Sequence, residues 1–239
     1  MRKNFMLSLV VLLFALSACN KENNSATNLE FGTLTDIDGF TYKTVKIGEQ
    51  WWMTENLRVT RFSDGSALQF IFGAGTDSLW SVTDSAAYTL INDTLYGKLY
   101  NYAAVANALH ELAPEGWHIA TDEDWKKLER EIGMSETETN ALGFRGVTEA
   151  ELLVAKNSKG WPEAGVLFGK DKFGFNAKPG GCRLFNGTLS NQSNMAFWWT
   201  ATDSGDGEAW YRYIDSNDKR IFRQHTYAHY GMSVRCVKN

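Results

Sequence analysis

Hydrophobic and polar residues alternate most clearly between positions 40 and 54. Residues Phe40–Ile47 alternate aromatic and β-branched side chains with polar ones, which is typical of a half-buried strand. A second strand-like run, Gln50–Thr54, follows directly after Gly48-Glu49. A Gly-X pair between two such runs is typical of a tight hairpin turn. The pattern therefore predicts a β-hairpin over residues 40–54.

Helical spacing predicts three further elements. The clearest helix begins at Thr121, whose side chain is suited to cap the first turn, and stops at Gly133. Its apolar stripe consists of Trp125, Leu128 and Ile132. A second helix is predicted after Ser135, because Ser135 and Glu138 form a capping-box pattern. The alanine-rich segment 101–113 is also predicted to be helical.

The remainder of the chain favours strands and loops. Strand-like runs occur at Ala196–Thr200, Ala209–Ile214 and Met232–Val237, whereas residues 63–95 are polar and irregular and predict a long loop region with short strands. Strands, then two helices, then strands are typical of an α+β fold.

The amino terminus predicts export. Arg2 and Lys3 precede Phe5–Leu16, a run of twelve residues in which only Ser8 is polar. This run is too short for a stable membrane-spanning helix, which needs about 20 residues. Its length and its positive flank favour a secretory signal peptide over residues 1–18.

The segment Leu16-Ser17-Ala18-Cys19 resembles the bacterial lipobox, in which a small residue precedes an obligatory cysteine. This resemblance implies cleavage before Cys19, acylation of Cys19 and therefore membrane lipid as a partner. Residues 19–33 then form the lipidated cysteine and a polar, flexible tether. Asn20 replaces the aspartate that commonly retains lipoproteins at the inner membrane, so we expect the outer membrane, with either periplasmic or cell-surface exposure.

The composition is that of a globular protein. The 239 residues are 44% hydrophobic and 22% charged, with a net charge of −4 that becomes more negative once Arg2 and Lys3 are removed. Such a charge argues against nucleic acid as a partner, because nucleic-acid binding requires a concentrated basic surface. The length allows a substantial hydrophobic core, which we assign to one domain over residues 34–239.

Cysteine usage leaves two interpretations open. With Cys19 acylated, the exported domain retains Cys182 and Cys236. An even pair in an oxidising compartment is a disulfide candidate, and two separate buried thiols are the alternative.

Metal and ligand candidates are few. Asp203, Asp206 and Glu208 lie in a glycine-containing turn and offer hard oxygen ligands for Ca²⁺, although a solvated hairpin turn explains the same residues. Trp80 lies in the irregular region and is the candidate for stacking on a sugar ring. His118 is expected to be a hydrogen-bonded structural residue. No nucleophile elbow or phosphate-binding glycine loop occurs in the sequence, so no catalytic residue is assigned.

Five sequence blocks in a fixed order resemble the Fibrobacter succinogenes major paralogous domain, which is abundant in exported chains and lipoproteins of Bacteroidetes and Fibrobacteres. The resemblance covers about residues 34–238. The blocks are GEQWWMTENL (48–57), YGKLYNY (96–102), GWHIATDEDW (116–125), FWWTAT (197–202) and SVRCV (233–237). The third block also resembles formylglycine-generating sulfatase-modifying enzymes, which implies a C-type-lectin-like fold with two helices, a small curved antiparallel sheet and large loop regions.

These features together favour a membrane-anchored, non-catalytic lipoprotein that functions in recognition or adhesion, with a glycan or a cell-surface protein as ligand. The alternative is an enzyme, either of the sulfatase-modifying type or a glycan hydrolase. Calcium is the one cofactor considered, at the turn that contains Asp203.

Overall fold

The computed structural model describes residues 28–73, 75–90, 93–205 and 207–239. The predicted signal peptide, Cys19 and most of the tether therefore lie outside the described residues. The helices of the described part are α1 (Asp77–Val82), α2 (Asp93–Tyr96), α3 (Tyr102–Val105), α4 (Asp122–Glu131), α5 (Glu136–Asn140) and α6 (Glu149–Leu153), followed by a 3₁₀ turn at Lys156–Ser158. Within these residues, no helix has the length and apolar character needed to cross a bilayer.

The largest sheet has five strands, in the order β1-β2-β3-β14-β7. Its strands are β1 (Phe31–Thr35), β2 (Thr41–Ile47), β3 (Gln50–Met53), β7 (Trp117–Ile119) and β14 (Cys236–Lys238). The predicted hairpin is confirmed: Ile47 pairs with Gln50, and Gly48 in the turn has φ of +59°. Glycine adopts this left-handed backbone conformation without the steric cost that a side chain would add.

A second antiparallel sheet has four strands, in the order β11-β12-β13-β8. It consists of β8 (Gly143–Arg145), β11 (Met195–Gly205), β12 (Glu208–Asp215) and β13 (Ile221–Tyr227). Two small sheets complete the described strands: β4 (Gln69–Phe70), β5 (Ala87–Leu90) and β6 (Lys98–Tyr100) form one, and β9 (Cys182–Arg183) and β10 (Leu189–Ser190) form the other.

The carboxy-terminal segment 231–238 joins these sheets. Met232 exchanges backbone hydrogen bonds of 2.9 and 3.0 Å with Tyr100 of β6. Ser233 donates to Phe197 of β11 and accepts from Trp199, and β14 then pairs with β3 and β7. The last sequence block is therefore a central connection of the fold.

Helix α4 follows its sequence signals closely. Thr121 and Asp124 form the predicted capping box, in which the Thr121 hydroxyl accepts a hydrogen bond from the Asp124 amide and the Asp124 carboxylate accepts one from the Thr121 amide. The stripe of Trp125, Leu128 and Ile132 is buried in a core that also contains Trp52 and Trp198. Ser135 and Glu138 likewise form the capping box predicted for α5.

The predicted helix over 101–113 is wrong in its length. Asn101 caps α3, but α3 ends at Val105. The Asn107 side chain accepts hydrogen bonds from the amides of Leu109 and His110, which favours a turn over a continuing helix. Leu109, which lies within the segment predicted to be helical, is 86% exposed.

The α+β class is confirmed, with six mostly short helices among the described residues where the C-type-lectin-like resemblance implied two. Antiparallel sheets dominate the architecture, as expected. The C-type-lectin-like likeness stays a prediction.

Candidate recognition surface

The two domain cysteines are free and buried, which agrees with two separate thiols, the second of the two interpretations that the sequence left open. Cys182 lies on β9 and Cys236 on β14, in separate sheets. Burial raises the pKa of Cys182 to about 12, and burial also raises the pKa of Cys236. Both residues are therefore protonated thiols at neutral pH, which corresponds to the alternative interpretation of the sequence.

Trp80 is not an exposed stacking residue. Its side chain is 1% exposed, and its Nε1 donates a hydrogen bond of 2.8 Å to the carbonyl of His229. The Arg183 guanidinium lies over the ring, 4.6 Å from its centroid. Trp80 is therefore part of the interior, because α1 folds its indole ring inward from the irregular region.

The proposed calcium ligands lie around the β11–β12 hairpin. Asp203 accepts a hydrogen bond from the Gly205 amide, and the Glu208 carboxylate contacts His225. Asp206 lies outside the described residues. Among the residues that are described, no group of three or more potential ligands is arranged for a metal ion.

His118 has the structural role expected from the sequence. Its Nδ1 lies 2.7 Å from Asn239 Oδ1, and its Nε2 lies 2.9 Å from Asp124 Oδ2. The hydrogen bond to Asp124 raises the pKa of His118, against the opposing effect of partial burial. Because both ring nitrogens are occupied, His118 is not placed to act as a general base.

The second sheet carries a row of aromatic side chains that sequence analysis did not identify. Phe144 pairs with Phe222, Phe222 with Tyr213, and Tyr213 with Phe197, so the row crosses all four strands. Residues that pair directly across antiparallel strands project on the same face. Phe197 is buried, whereas the other three members and the neighbouring Tyr211 are half-buried. We call Phe144, Tyr211, Tyr213 and Phe222 the aromatic face.

The rings of the aromatic face contact one another. Tyr213 and Phe222 are stacked, with centroids 4.2 Å apart and planes at 22°. Phe144 meets Phe222 edge-on at 5.0 Å and 77°. These contacts hold the rings in fixed orientations.

Charged groups border the aromatic face. The Arg220 guanidinium lies 5.0 Å from the centroid of the Phe144 ring and forms an ion pair of 2.7 Å with Asp218. Burial, together with the negative charges of Asp215 and Asp218, raises the pKa of Tyr213 to about 12. The Tyr213 hydroxyl is therefore a neutral hydrogen-bonding group at physiological pH.

Beneath the aromatic face, the same strands project arginine residues towards helix α4. Arg145, Arg212 and Arg223 alternate with the aromatic residues along β8, β12 and β13 and are 3%, 0% and 5% exposed. The period of two in a strand places adjacent residues on opposite faces. A sequence signal for this arrangement exists in the segments Phe144-Arg145, Tyr211-Arg212-Tyr213 and Phe222-Arg223, but it becomes informative only once the strands are paired.

Two carboxylates of α4 form ion pairs with these three arginines. Glu129 accepts a bidentate pair of hydrogen bonds from Arg145, at 2.7 and 2.8 Å, and a further one from Arg212 at 2.8 Å. Asp122 accepts from both Arg212 and Arg223, at 2.7 to 2.9 Å. Burial opposes ionisation of Asp122 and Glu129, but the arginines prevail and hold the pKa of each carboxyl below its usual range. We call these five residues the arginine–carboxylate network.

A search against protein-family models matches residues 45–238 to the Fibrobacter succinogenes major domain. The match covers most of the chain, so the protein belongs to this family, as its five sequence blocks indicated. Neither a curated protein nor a solved structure matches the chain. The further likeness to sulfatase-modifying enzymes stays a prediction.

Proposed function

We propose that this protein is an exported lipoprotein, anchored at the outer membrane through acylated Cys19, and that its domain recognises a protein ligand through the aromatic face. The observation that carries the proposal is the aromatic row across the second sheet, which begins at the core, where Tyr211 and Tyr213 pack, and ends at the half-buried Phe222 and Phe144. Phe144 and Phe222 belong to neither of the two large core clusters, so their apolar surface is not explained by interior packing.

The chemistry of this surface favours a protein over a glycan. Tyrosine, phenylalanine and arginine are enriched in the centres of protein interfaces. A sugar ring stacks on an open aromatic face, whereas Tyr213 and Phe222 present their faces to each other. The network beneath the sheet fixes the strands and so reduces the ordering cost of binding.

Recognition also fits the state of the two domain thiols better than the sulfatase-modifying alternative. A nucleophilic cysteine requires a lowered pKa, but burial raises the pKa of both Cys182 and Cys236. The glycan-hydrolase alternative has no comparable observation in its favour.

The test uses the full chain with Phe144→Ser and Phe222→Ser, and Phe168→Ser as control. Phe168 is 59% exposed and lies outside the aromatic face, so its variant matches the loss of an exposed phenyl ring. Each protein is first checked for an unchanged unfolding midpoint and then applied to panels of cell-surface proteins and of glycans.

We expect a protein ligand whose affinity falls about tenfold or more in the first two variants and is unchanged in the control. Binding to glycans alone, or binding that is indifferent to Phe144 and Phe222, would refute this proposal. Intact-mass analysis of membrane-extracted protein tests the anchor separately, because acylation at Cys19 adds the mass of the lipid and cleavage before Cys19 removes the mass of residues 1–18.

A further inference from the structure

Arg235, in the last sequence block, is a buried cation without a carboxylate partner. Its side chain is 1% exposed. Nε donates to Asn56 Oδ1 at 2.7 Å, and Nη1 donates to the carbonyls of Met53 and Phe175 at 2.6 and 2.9 Å. Among the described residues, no carboxylate oxygen lies within 4.0 Å of the guanidinium, and Nη2 has no acceptor. Buried arginines are normally paired, because an unpaired charge loses its hydration without compensation.

Arg235 lines a polar cavity between segments that are distant in the sequence. The cavity, whose volume is about 330 Å³ including its open mouth, has internal room for about one water molecule. Gly97 forms part of the wall, where an added Cβ would lie 2.9 Å from the Leu57 carbonyl oxygen. The backbone of Gly97 therefore lies close to the Leu57 carbonyl at this wall of the cavity.

Two further cations line the same cavity. Arg58 stacks on Phe40, with 4.6 Å between its guanidinium carbon and the ring centroid, and its Nε is buried without a hydrogen-bond partner in the described part of the chain. Lys178 is half-buried, and burial together with the charge of Arg235 lowers its pKa. Two of the three cations thus retain an N–H group that no described protein atom satisfies.

The lining carries a net positive charge. Glu55 is the single carboxylate among the described lining residues, against Arg58, Lys178 and Arg235. Glu55 accepts a hydrogen bond from the Lys43 amide at 3.3 Å, and burial lowers the pKa of Arg235 to about 9 against the opposing charges of Glu55 and Asp171. An anion in the cavity would reduce the repulsion among the three cations and supply the missing acceptors.

We propose that this cavity is an oxyanion-binding site, in which Arg58, Lys178 and Arg235 hold one carboxylate, sulfate or phosphate group of a ligand. The interior has room for one oxygen atom of such a group, and the remainder of the ligand projects through the mouth. Backbone carbonyls and Asn56 fix the Arg235 guanidinium in advance, so binding does not have to order it. The site is independent of the aromatic face, because none of its lining residues belongs to that face.

The proposal is tested by thermal unfolding and calorimetric titration of the full chain with sodium sulfate, phosphate or acetate. Sodium chloride at matched ionic strength controls for screening, and saturation of the effect separates binding from the non-saturable stabilisation that sulfate and phosphate give through exclusion from the protein surface. We expect a saturable increase in the unfolding midpoint with at least one oxyanion, since a ligand that binds only the folded state stabilises it. The effective salt identifies which oxyanion the site accepts.

Variants locate the binding. Lys178→Gln removes one cation of the cavity, and Lys127→Gln makes the same change at an exposed position on α4. We expect Lys178→Gln to weaken oxyanion binding about tenfold and Lys127→Gln to leave it unchanged, because a hydrogen bond to a charged group typically contributes a factor of this size. Arg58→Gln provides a second variant if Lys178→Gln unfolds.

Two outcomes would overturn the proposal. One is a midpoint shift in chloride equal to that in all three oxyanions, which would mean that the cavity holds only water. The other is equal binding by the cavity variants and Lys127→Gln, which would place the anion elsewhere on the protein.

Discussion

Removing the charge of Glu129 should destabilise the protein strongly. Glu129 is fully buried and accepts three hydrogen bonds from Arg145 and Arg212. Glu129→Gln preserves the shape of the side chain but leaves two buried guanidinium groups without their shared carboxylate. Breaking a buried ion pair from one side typically costs about 3–5 kcal/mol. We therefore expect the free energy of unfolding to fall by an amount in this range.

The matched control is Glu123→Gln, on the exposed side of the same helix. Glu123 is 57% exposed and pairs with Arg130 at 2.9 Å, a type of contact that contributes about 0–1 kcal/mol. Urea denaturation followed by circular dichroism measures both variants. The urea midpoint of Glu129→Gln should fall by about 1 M or more, at an unchanged slope. Equal midpoints for the two variants would refute the view that the arginine–carboxylate network stabilises the sheet against α4.

Three further predictions concern acid, thiols and the interior. Acid should destabilise the fold. Burial raises the pKa of Asp124, but hydrogen bonds from His118 and Thr121 outweigh it and lower that pKa to about 2. The pKa values of Asp122 and Glu129 are also lowered. The ionised carboxylates stabilise the folded state fully above their ordinary pKa values near 4, and this stabilisation is lost as the pH falls through the folded-state pKa values. Urea midpoints should therefore decrease from pH 5 to pH 2.5. A constant midpoint would contradict this prediction. Cys182 and Cys236 should resist a thiol reagent in the folded protein and react after denaturation, whereas a mass 2 Da lower than that of the reduced chain would indicate a disulfide. Trp80→Ala should lower the free energy of unfolding by about 3–5 kcal/mol, because it empties a buried site; a loss below about 1 kcal/mol would indicate an exposed ring.

The local elements of this fold were accessible from sequence because their causes are local. The hairpin turn at Gly48 requires a backbone conformation that glycine favours, and the cap of α4 requires hydrogen bonds between Thr121 and Asp124 only. The predicted helix over 101–113 failed for a related reason. Alanine content and spacing indicated a continuing helix, but the Asn107 side chain offers the backbone a competing turn.

Predictions about burial and pairing were less successful, because they depend on contacts between distant segments. The sequence placed Trp80 in an irregular region, but its environment is set by Arg183 and the carbonyl of His229. An even pair of cysteines suggested a disulfide, but Cys182 and Cys236 belong to separate sheets. Residue type alone does not specify such distances.

By itself, the sequence determined the family, the α+β class and the positions of the main hairpin and helix, since these follow from ordered motifs and short-range hydrogen bonds. Tertiary structure alone decided the two candidate sites. Strand pairing places Phe144, Phe222 and Tyr213 in one row, and the convergence of four chain segments surrounds Arg235 with Arg58 and Lys178. The physical reason is that both sites consist of residues far apart along the chain, whose proximity arises only when the sheets pair and the core closes.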